Sequence, residues 1–287
     1  MTQALINALL TGGLYTAIAI GLSLVYGVTK VINAAHGAYI VLGGYLAWFA
    51  WSTWGIDPFT LIPLLMGVGF ITGYAVQRLL VNAVVRRNVL MTVAMTFGVD
   101  LVLVTIILLT FGADLRLIRL DYASAGFDVL GARVPLVRLL IFGLAVGVAV
   151  GLDIVMRRTQ IGARIRAVSQ DRPAAELLGI DVGHTYGVAH GLAAAVACGS
   201  GALVATITPL QPFLGVSLLL VAFAVVVLAG FGPIAPVLIA GILLALSEQL
   251  VGLYLGTEYQ RLAIFAVYLI VATFRPNGLF GQRFYAH

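Results

Sequence analysis

Long apolar runs recur along the whole sequence and constrain the fold more than any other feature. The 287-residue chain is 62% hydrophobic and only 9% charged, and its mean hydropathy is +1.10. Soluble domains carry about 25% charged residues, so this chain lacks the polar surface that a soluble core needs. A run of about 20 apolar residues crosses the hydrocarbon core of a bilayer, which is about 30 Å thick. The sequence therefore predicts an all-α, polytopic integral membrane protein with about 8–10 transmembrane or re-entrant helices.

Charged residues and clusters of glycine and proline divide the apolar sequence into nine segments. Proline removes a backbone donor and clashes with the preceding turn, so the prolines between segments mark helix ends or kinks. We expect residues 1–287 to form a single transmembrane domain. Residues 1–29 carry no Lys or Arg, which predicts a retained first helix rather than a secretory signal. The predicted spans lie near residues 3–28, 31–55, 58–80, 88–112, 134–156, 184–207, 216–232, 233–255 and 259–274.

Basic residues are distributed unevenly between the predicted loops. Cytoplasmic loops carry an excess of Lys and Arg, and this excess sets the orientation of a membrane protein. With the N-terminus outside, eleven of the sixteen Lys and Arg residues fall on the cytoplasmic side, and the outer loop at about 113–133 holds three. The C-terminus is then predicted to be cytoplasmic. The cytoplasmic set is Lys30, Arg78, Arg86, Arg87, Arg157, Arg158, Arg164, Arg166, Arg172, Arg275 and Arg283.

The predicted cytoplasmic loop at about 157–183 carries the signals of a short capped helix. Asp171 is a typical N-cap residue, because its side chain accepts a hydrogen bond from a free backbone amide. Pro173 suits the first helical turn, and Gly179 suits the left-handed position after the last turn. A helix of about seven residues is too short to be stable alone in water, so it needs a partner surface.

One face of this short helix is apolar. Ala174, Leu177 and Leu178 share that face, and Ile180 extends it. Two interpretations remain open. The basic, amphipathic loop lies on anionic lipid headgroups, or its helix docks into another protein.

Polar residues lie deep inside three of the predicted spans. Asn33 and His36 fall in the second span, where helical rise from Lys30 places His36 about 9 Å from the cytoplasmic end. Asp100 lies near mid-membrane, about 18 Å into its span, and Glu248 is also internal. Ionisable groups within spans often mark proton or ion relays. The other interpretation of Asp100 and Glu248 is that they form hydrogen bonds between helices or face a wet cavity. For Asn33 and His36 the alternatives are a structural or gating hydrogen bond and direct contact with the substrate.

Two stretches rich in small residues are candidate helix crossings. They are 43-GGYLA-47 and 191-GLAAAVACGSGA-202. Small residues let helix backbones approach closely. Two interpretations remain: ordinary tight packing of membrane helices, or a contact that switches between two arrangements during transport.

Several function classes are excluded by single residues. Lys30 is the only lysine and is not followed by Ser or Thr, so the chain has no P-loop for ATP. Cys198 is the only cysteine, which excludes an internal disulfide. His184 and His190 are six residues apart and do not share a helix face as metal ligands would. We therefore predict no catalytic, cofactor-binding or metal-binding residue, and no enzyme activity of this chain.

Three segments resemble the permease subunits of branched-chain amino acid ABC importers. They are 26-YGVTKVINAAHGAYIVLGGYLA-47, 158-RTQIGARIRAVSQDRPAAELLGID-181 and 274-FRPNGLFG-281. They lie in the first, middle and last parts of the chain, so the resemblance spans nearly all of it. It implies a multi-pass protein of the bacterial inner membrane that pairs with a second related permease. It further implies two ATP-binding subunits, which would hold ATP and Mg, and a periplasmic solute-binding protein.

The resemblance also implies roles for particular residues. Asn33, His36 and Gly37 match a family motif and form a candidate gate, although Ala34 stands where the family commonly has Phe. Candidate ATPase-coupling residues are Arg164, Asp171, Pro173, Ala174, Ala175, Leu177, Leu178, Gly179 and Ile180. Candidate pathway residues are Asp100, Glu248, Gly230 and Gly232.

The substrate and the energy source have alternatives at this stage. The stretch 228-LAGFGPIAPVLIAG-241 departs from the glycine- and serine-rich break that is usual in the family. Urea, a short amide or an aromatic acid therefore stands beside branched-chain amino acids as the expected substrate. A proton-coupled secondary transporter and a passive channel for a small polar solute are the alternatives to an ABC permease.

Overall fold

A computed structural model describes residues 1–84, 89–129, 131–230, 235–275 and 277–280. The chain is predominantly helical, which confirms the predicted all-α, polytopic class. The helices are α1 (Thr2–Thr29), α2 (His36–Trp54), α3 (Pro58–Val76), a π-helical turn (Gln77–Val81), α4 (Asn82–Val84), α5 (Val89–Phe111), α6 (Leu136–Arg158), α7 (Gln160–Gln170), α8 (Arg172–Leu177), α9 (Val182–Ala205), α10 (Leu214–Ala229), α11 (Ala235–Tyr254), a 3₁₀ turn (Thr257–Tyr259) and α12 (Gln260–Phe274).

Each predicted span overlaps a helix in the described part of the chain. Six of these helices are long and apolar enough to cross a membrane: α1, α3 with its continuation to Val84, α5, α6, α9 and α11. α10 is a shorter apolar helix. The second predicted span is corrected, because α2 begins at His36 and the residues before it are not helical.

The centre of the bundle is formed by α1 and α9. In the apolar stretches of these two helices, 83% and 94% of the residues are buried, against 22% for α6 and 33% for α5. α9 is rich in glycine and alanine, so α1, α2 and α3 pack directly against its backbone. Larger apolar side chains on α5, α6, α11 and α12 face outward.

α2 and α9 cross at the two small-residue stretches that the sequence singles out. A Cβ atom at Gly43 would lie 2.0 Å from the Cys198 carbonyl oxygen, and one at Gly201 would lie 2.0 Å from the Ile40 carbonyl oxygen. The Cys198 thiol also donates to the Tyr39 carbonyl at 3.1 Å. Both predicted candidates are therefore helix crossings, the structure adds that they cross each other, and only glycine fits at Gly43 and Gly201 without movement of the backbone.

The two ends of the bundle differ. The end where α1 begins, which we call the hairpin end, carries an antiparallel hairpin of β1 (Gly126–Val129) and β2 (Ala132–Pro135), with Asp128 paired to Arg133. Gln3 holds the hairpin to α1, because its side chain donates to the Arg133 carbonyl at 3.0 Å and accepts from the Arg133 amide at 2.8 Å. The opposite end, which we call the Lys30 end, carries α7 and α8.

The loop between α5 and α6 is fixed to the bundle at three further points. Its backbone pairs with the segment after α9 between Arg116 and Leu210, with N–O distances of 3.0 and 2.7 Å. The Arg116 guanidinium lies 4.7 Å from the centre of the Trp48 ring, close enough for a cation–π contact. The Tyr122 hydroxyl donates to Asp57, the N-cap residue of α3. Burial and this hydrogen bond raise the pKa of Tyr122 above its ordinary value.

Candidate functional site

The segment between α6 and α9 forms two short helices whose ends are set by local hydrogen bonds. Thr159 begins α7, and its side-chain oxygen accepts from the Gly162 amide at 3.1 Å. Asp171 begins α8 and accepts from the Ala174 amide at 3.0 Å. Pro173 lies in the first turn of α8, and Gly179 has a φ of 78°. The predicted cap, proline and glycine are thus confirmed, and α8 has 6 residues.

This segment is anchored to the bundle by its inner face. Ile165, Val168 and Ala175 are buried, and they belong to the same apolar core as α1 and α9. Asp181 then begins α9, accepting from the His184 amide at 2.8 Å and lying 3.6 Å from the Arg78 guanidinium. The hydrogen bond from His184 lowers the pKa of the Asp181 carboxyl. The segment is therefore held in one position on the Lys30 end.

The outer face of the segment exposes two leucines. Leu177 is 89% exposed and Leu178 is 80% exposed, beside the exposed Ala174. Two of the predicted coupling residues are less exposed than a direct contact with a partner subunit requires. Ala175 is buried beneath α8, and Ile180 is half-buried against the core, because the left-handed turn at Gly179 directs the chain back toward the bundle. These two residues position the helix, while Leu177 and Leu178 form its free surface, which we call the leucine face.

The Asp171 cap makes a local prediction. We expect Asp171→Ala to raise the amide hydrogen-exchange rates of α8 about five-fold, since loss of an N-cap costs about 1 kcal/mol. Asp171→Asn is the matched control, because the asparagine oxygen also caps and should leave those rates near wild type. Equal exchange in the wild type and the alanine variant would show that the cap does not stabilise α8.

A non-helical break separates α1 from α2. Lys30 ends α1 with a φ of 56°, and the Asn33 side chain accepts from the Ala35 amide at 3.1 Å. His36 begins α2, and its Nε2 lies 2.8 Å from the Ile18 carbonyl oxygen in α1. Ile18 is about 17 Å along α1 from Thr29. His36 is therefore near the middle of α1, and the expected depth of about 9 Å is wrong because it assumed helical rise over residues 31–35, which form a bend and a turn instead.

Buried polar groups from distant helices surround this break. The Asn33 amide nitrogen is 3.3 Å from Nε2 of His190 on α9, and the Ala34 amide donates to Thr96 Oγ1 on α5 at 3.1 Å. Thr92, Thr96 and Asp100 are four residues apart on α5, and all three are buried. The sequence reasoning missed His190 and Thr96 as partners of the motif. The sequence did carry a signal for Thr96, because Thr92, Thr96 and Asp100 recur every four residues and so share one face of α5.

Gly37 follows the break and allows the closest approach of α2 to α10. A Cβ atom there would lie 2.1 Å from the Gly215 carbonyl oxygen. Asn33, His36 and Gly37 therefore lie together at one helix junction. Their assignment as a gate stays a prediction.

A cavity of about 440 Å³ lies toward the hairpin end, between α1, α6, α9, α10, α11 and α12. Glu248 on α11 lines it, and the Tyr15 hydroxyl on α1 donates to Glu248 Oε2 at 2.5 Å. Arg138 on α6 and Arg261 on α12 line the same cavity. Its volume falls within the range of about 300–1,000 Å³ that small-molecule sites occupy.

The four predicted pathway residues do not lie together. Glu248 lines the cavity, whereas Asp100 is buried on α5 beside the break. Gly230 ends α10, and the Leu279 amide donates to the neighbouring Leu228 carbonyl at 2.9 Å, so residues 278–280 pack there. Gly232 lies outside the described residues.

Comparison with known proteins identifies the family. A model of the family described as branched-chain amino acid transport system / permease component matches residues 4–272. The high-affinity branched-chain amino acid transport system permease protein BraD of Pseudomonas aeruginosa is 27% identical, over 98% of this chain and 95% of its own length. The corresponding protein LivH of Escherichia coli is 28% identical, over the same 98% and 95%.

An archaeal relative extends the comparison. The probable branched-chain amino acid transport permease protein LivH of Methanocaldococcus jannaschii is 27% identical, over 88% of this chain and 82% of its own. No solved structure matches the chain. The family model covers most of the chain and the relatives match it along nearly their whole length, which confirms the resemblance inferred from the three motifs. The chain belongs to the family of branched-chain amino acid transport permease components.

Proposed function

We propose that this chain forms the membrane pathway of an ATP-driven importer for branched-chain or related amino acids. It pairs with a second, related permease subunit. The pair receives its substrate from a periplasmic solute-binding protein at the hairpin end and couples to two ATP-binding subunits at the Lys30 end. ATP and Mg are held by those partner subunits, and the chain lies in the bacterial inner membrane with a cytoplasmic C-terminus.

The leucine face is the observation that carries this proposal. Leu177 and Leu178 are 89% and 80% exposed on a helix whose caps and buried inner face fix its position. Exposed apolar surface on an ordered element is typical of a protein contact. A rigid helix that presents two leucines fits into a groove of an ATP-binding subunit and transmits movement to α6 and α9, to which it is joined.

Subunit assembly and stimulated ATP hydrolysis test the proposal. The chain is co-expressed with a second permease, two ATP-binding subunits and a binding protein, which we expect the neighbouring genes to encode, and the complex is purified through a tag on this chain. We expect the ATP-binding subunits to co-purify. We also expect the binding protein loaded with L-leucine to stimulate hydrolysis more than the same protein offered urea, a short amide or an aromatic acid. Failure of the ATP-binding subunits to co-purify would contradict the proposal.

Asp100 supplies the test of the proton-coupled alternative. Within the described ranges it makes no hydrogen bond or ion pair, although it is buried in the middle of α5. An ATP-driven permease does not need this carboxyl to exchange a proton, so Asp100→Asn should keep leucine uptake within about two-fold of wild type. Uptake by the purified complex in proteoliposomes measures this. Loss of uptake with assembly and ATP hydrolysis intact would favour a proton relay.

A further inference from the structure

The cavity at the hairpin end carries opposite charges on different helices. Its one carboxylate is Glu248 on α11, and its two guanidinium groups are Arg138 on α6 and Arg261 on α12. In the described part of the chain, neither arginine has a hydrogen-bond or ion-pair partner within bonding distance. The charge of Arg261 acts on Glu248 without forming an ion pair, and both guanidinium groups keep N–H donors for an anion in the cavity.

Glu248 is oriented by Tyr15. The Tyr15 hydroxyl donates a hydrogen bond to Glu248 Oε2 at 2.5 Å, and no other described residue makes a hydrogen bond to this side chain. A carboxylate accepts several hydrogen bonds, so capacity for a cationic donor remains. Tyr15 thus acts as a positioning residue and leaves Glu248 able to accept from an ammonium group.

The remaining wall is largely aliphatic. Leu10 and Leu14 from α1, Ile141 from α6, Val204 from α9 and Leu218 from α10 surround the polar groups. Small-molecule sites usually combine apolar walls with a few polar groups that fix orientation. Burial of a branched aliphatic side chain against these walls would supply about 25 cal/mol per Å² of apolar surface.

We propose that this cavity binds a free aliphatic α-amino acid as its zwitterion. Glu248 accepts hydrogen bonds from the α-ammonium group, Arg138 and Arg261 bind the α-carboxylate, and the aliphatic wall holds the side chain. This inference rests on the proposed function, which gives the direction of transport. It adds the site in the permease where the substrate binds first. Substrates that lack either charge, such as urea, would leave a charged group in the cavity unpaired.

The same pair of charges occurs in the headgroup of an ethanolamine phospholipid. The cavity is lined by residues of six helices, and Thr208 and Ser217 add hydroxyl groups. We propose the free amino acid as the occupant because it is what an importer carries. The experiment below distinguishes it from a lipid headgroup.

Protection of an introduced thiol tests the inference directly. Ser217 lines the cavity and is half-buried, whereas Cys198, the only natural cysteine, is buried. The Ser217→Cys variant of the assembled complex, in nanodiscs of phosphatidylcholine and phosphatidylglycerol, is labelled with a charged thiol reagent. L-leucine at ten times its Kd should slow labelling about ten-fold. 4-Methylpentanoate lacks the ammonium group and 3-methylbutylamine lacks the carboxylate, and neither should protect at that concentration.

Charge variants identify the groups that bind the ligand. In the Ser217→Cys background, Glu248→Gln and Arg261→Gln should each weaken protection by L-leucine at least about ten-fold, because each leaves a ligand charge unpaired. Tyr15→Phe should have a smaller effect in the same direction. Glu258→Gln and Arg119→Gln change exposed residues outside the cavity and are the matched controls.

The outcomes separate this inference from the proposed function. If L-leucine gives no protection in a complex that transports leucine with ATP, the cavity is not the binding site although the importer assignment stands. If L-leucine protects but ATP does not drive uptake, the importer assignment fails and the site stands. Protection that is unchanged in Glu248→Gln, or labelling blocked by added phosphatidylethanolamine in place of L-leucine, would overturn the inference. The ligand series with the Ser217→Cys variant decides the question even if Glu248→Gln fails to fold.

Discussion

The double variant Leu177→Glu with Leu178→Glu is expected to abolish both binding of the ATP-binding subunits and ATP-driven uptake. Two carboxylates would enter an apolar groove without partners, at a cost of several kcal/mol. A loss of about 2.8 kcal/mol in affinity already lowers binding about 100-fold. The permease itself should fold normally, because the two side chains are 89% and 80% exposed and contribute little to its core.

Leu115→Glu is the control for this prediction. Leu115 is 68% exposed in the outer loop, at the opposite end of the bundle from the leucine face. It adds the same charge to an exposed leucine and should leave co-purification of the ATP-binding subunits unchanged. Co-purification and stimulated ATP hydrolysis at wild-type levels in the double variant would show that the leucine face does not couple the subunits.

Gly43→Ala and Gly201→Ala are expected to be the most destabilising single substitutions in the α2–α9 crossing. The added methyl groups would lie 2.0 Å from the carbonyl oxygens of Cys198 and Ile40, respectively. These are backbone atoms between two buried helices, so the helices must separate. Overpacking of this kind costs about 1–3 kcal/mol and sometimes more. We expect a thermal unfolding midpoint several degrees below wild type and a smaller yield of monodisperse protein.

Two glycines on α6 provide matched controls. A Cβ atom at Gly143 or Gly147 meets no atom within 4 Å, so alanine is tolerated there. Alanine also raises helix propensity by about 1 kcal/mol in a helix interior, so Gly143→Ala and Gly147→Ala should be neutral or stabilising. Equal unfolding midpoints in all four variants would contradict the close crossing of α2 and α9.

Features that depend on neighbouring residues in sequence could be predicted before the structure. Apolar runs located the helices, because about 20 residues are needed to cross a bilayer. Asp171, Pro173 and Gly179 located α8, because capping and a left-handed turn act within a few residues. Small residues marked residues 43–47 and 191–202 as candidate crossings, because close approach of two helix backbones requires them, but that these two stretches cross each other came from the structure.

Features that depend on tertiary contacts could not be predicted in the same way. The break before His36 interrupts an apolar run without proline, and Asn33 meets His190 across 157 positions of sequence. The depth of His36 depended on whether residues 31–35 are helical, and hydropathy does not distinguish a helix from the bend and turn that the structure has there. The cavity around Glu248 is assembled from six helices, so the sequence marked this residue but neither its hydrogen-bond partner Tyr15 nor the two arginines, Arg138 and Arg261, that line the same cavity.

Leucine uptake by the reconstituted complex is the most direct test of the central claim that separate ATP-binding subunits drive this permease. The complex is placed in proteoliposomes with the binding protein outside and ATP with Mg²⁺ on the side of the ATP-binding subunits. Uptake should require ATP, persist in the presence of a protonophore, and stop in the double variant of Leu177 and Leu178. Uptake that proceeds without ATP when a proton gradient is imposed, and that collapses with the protonophore, would contradict the account.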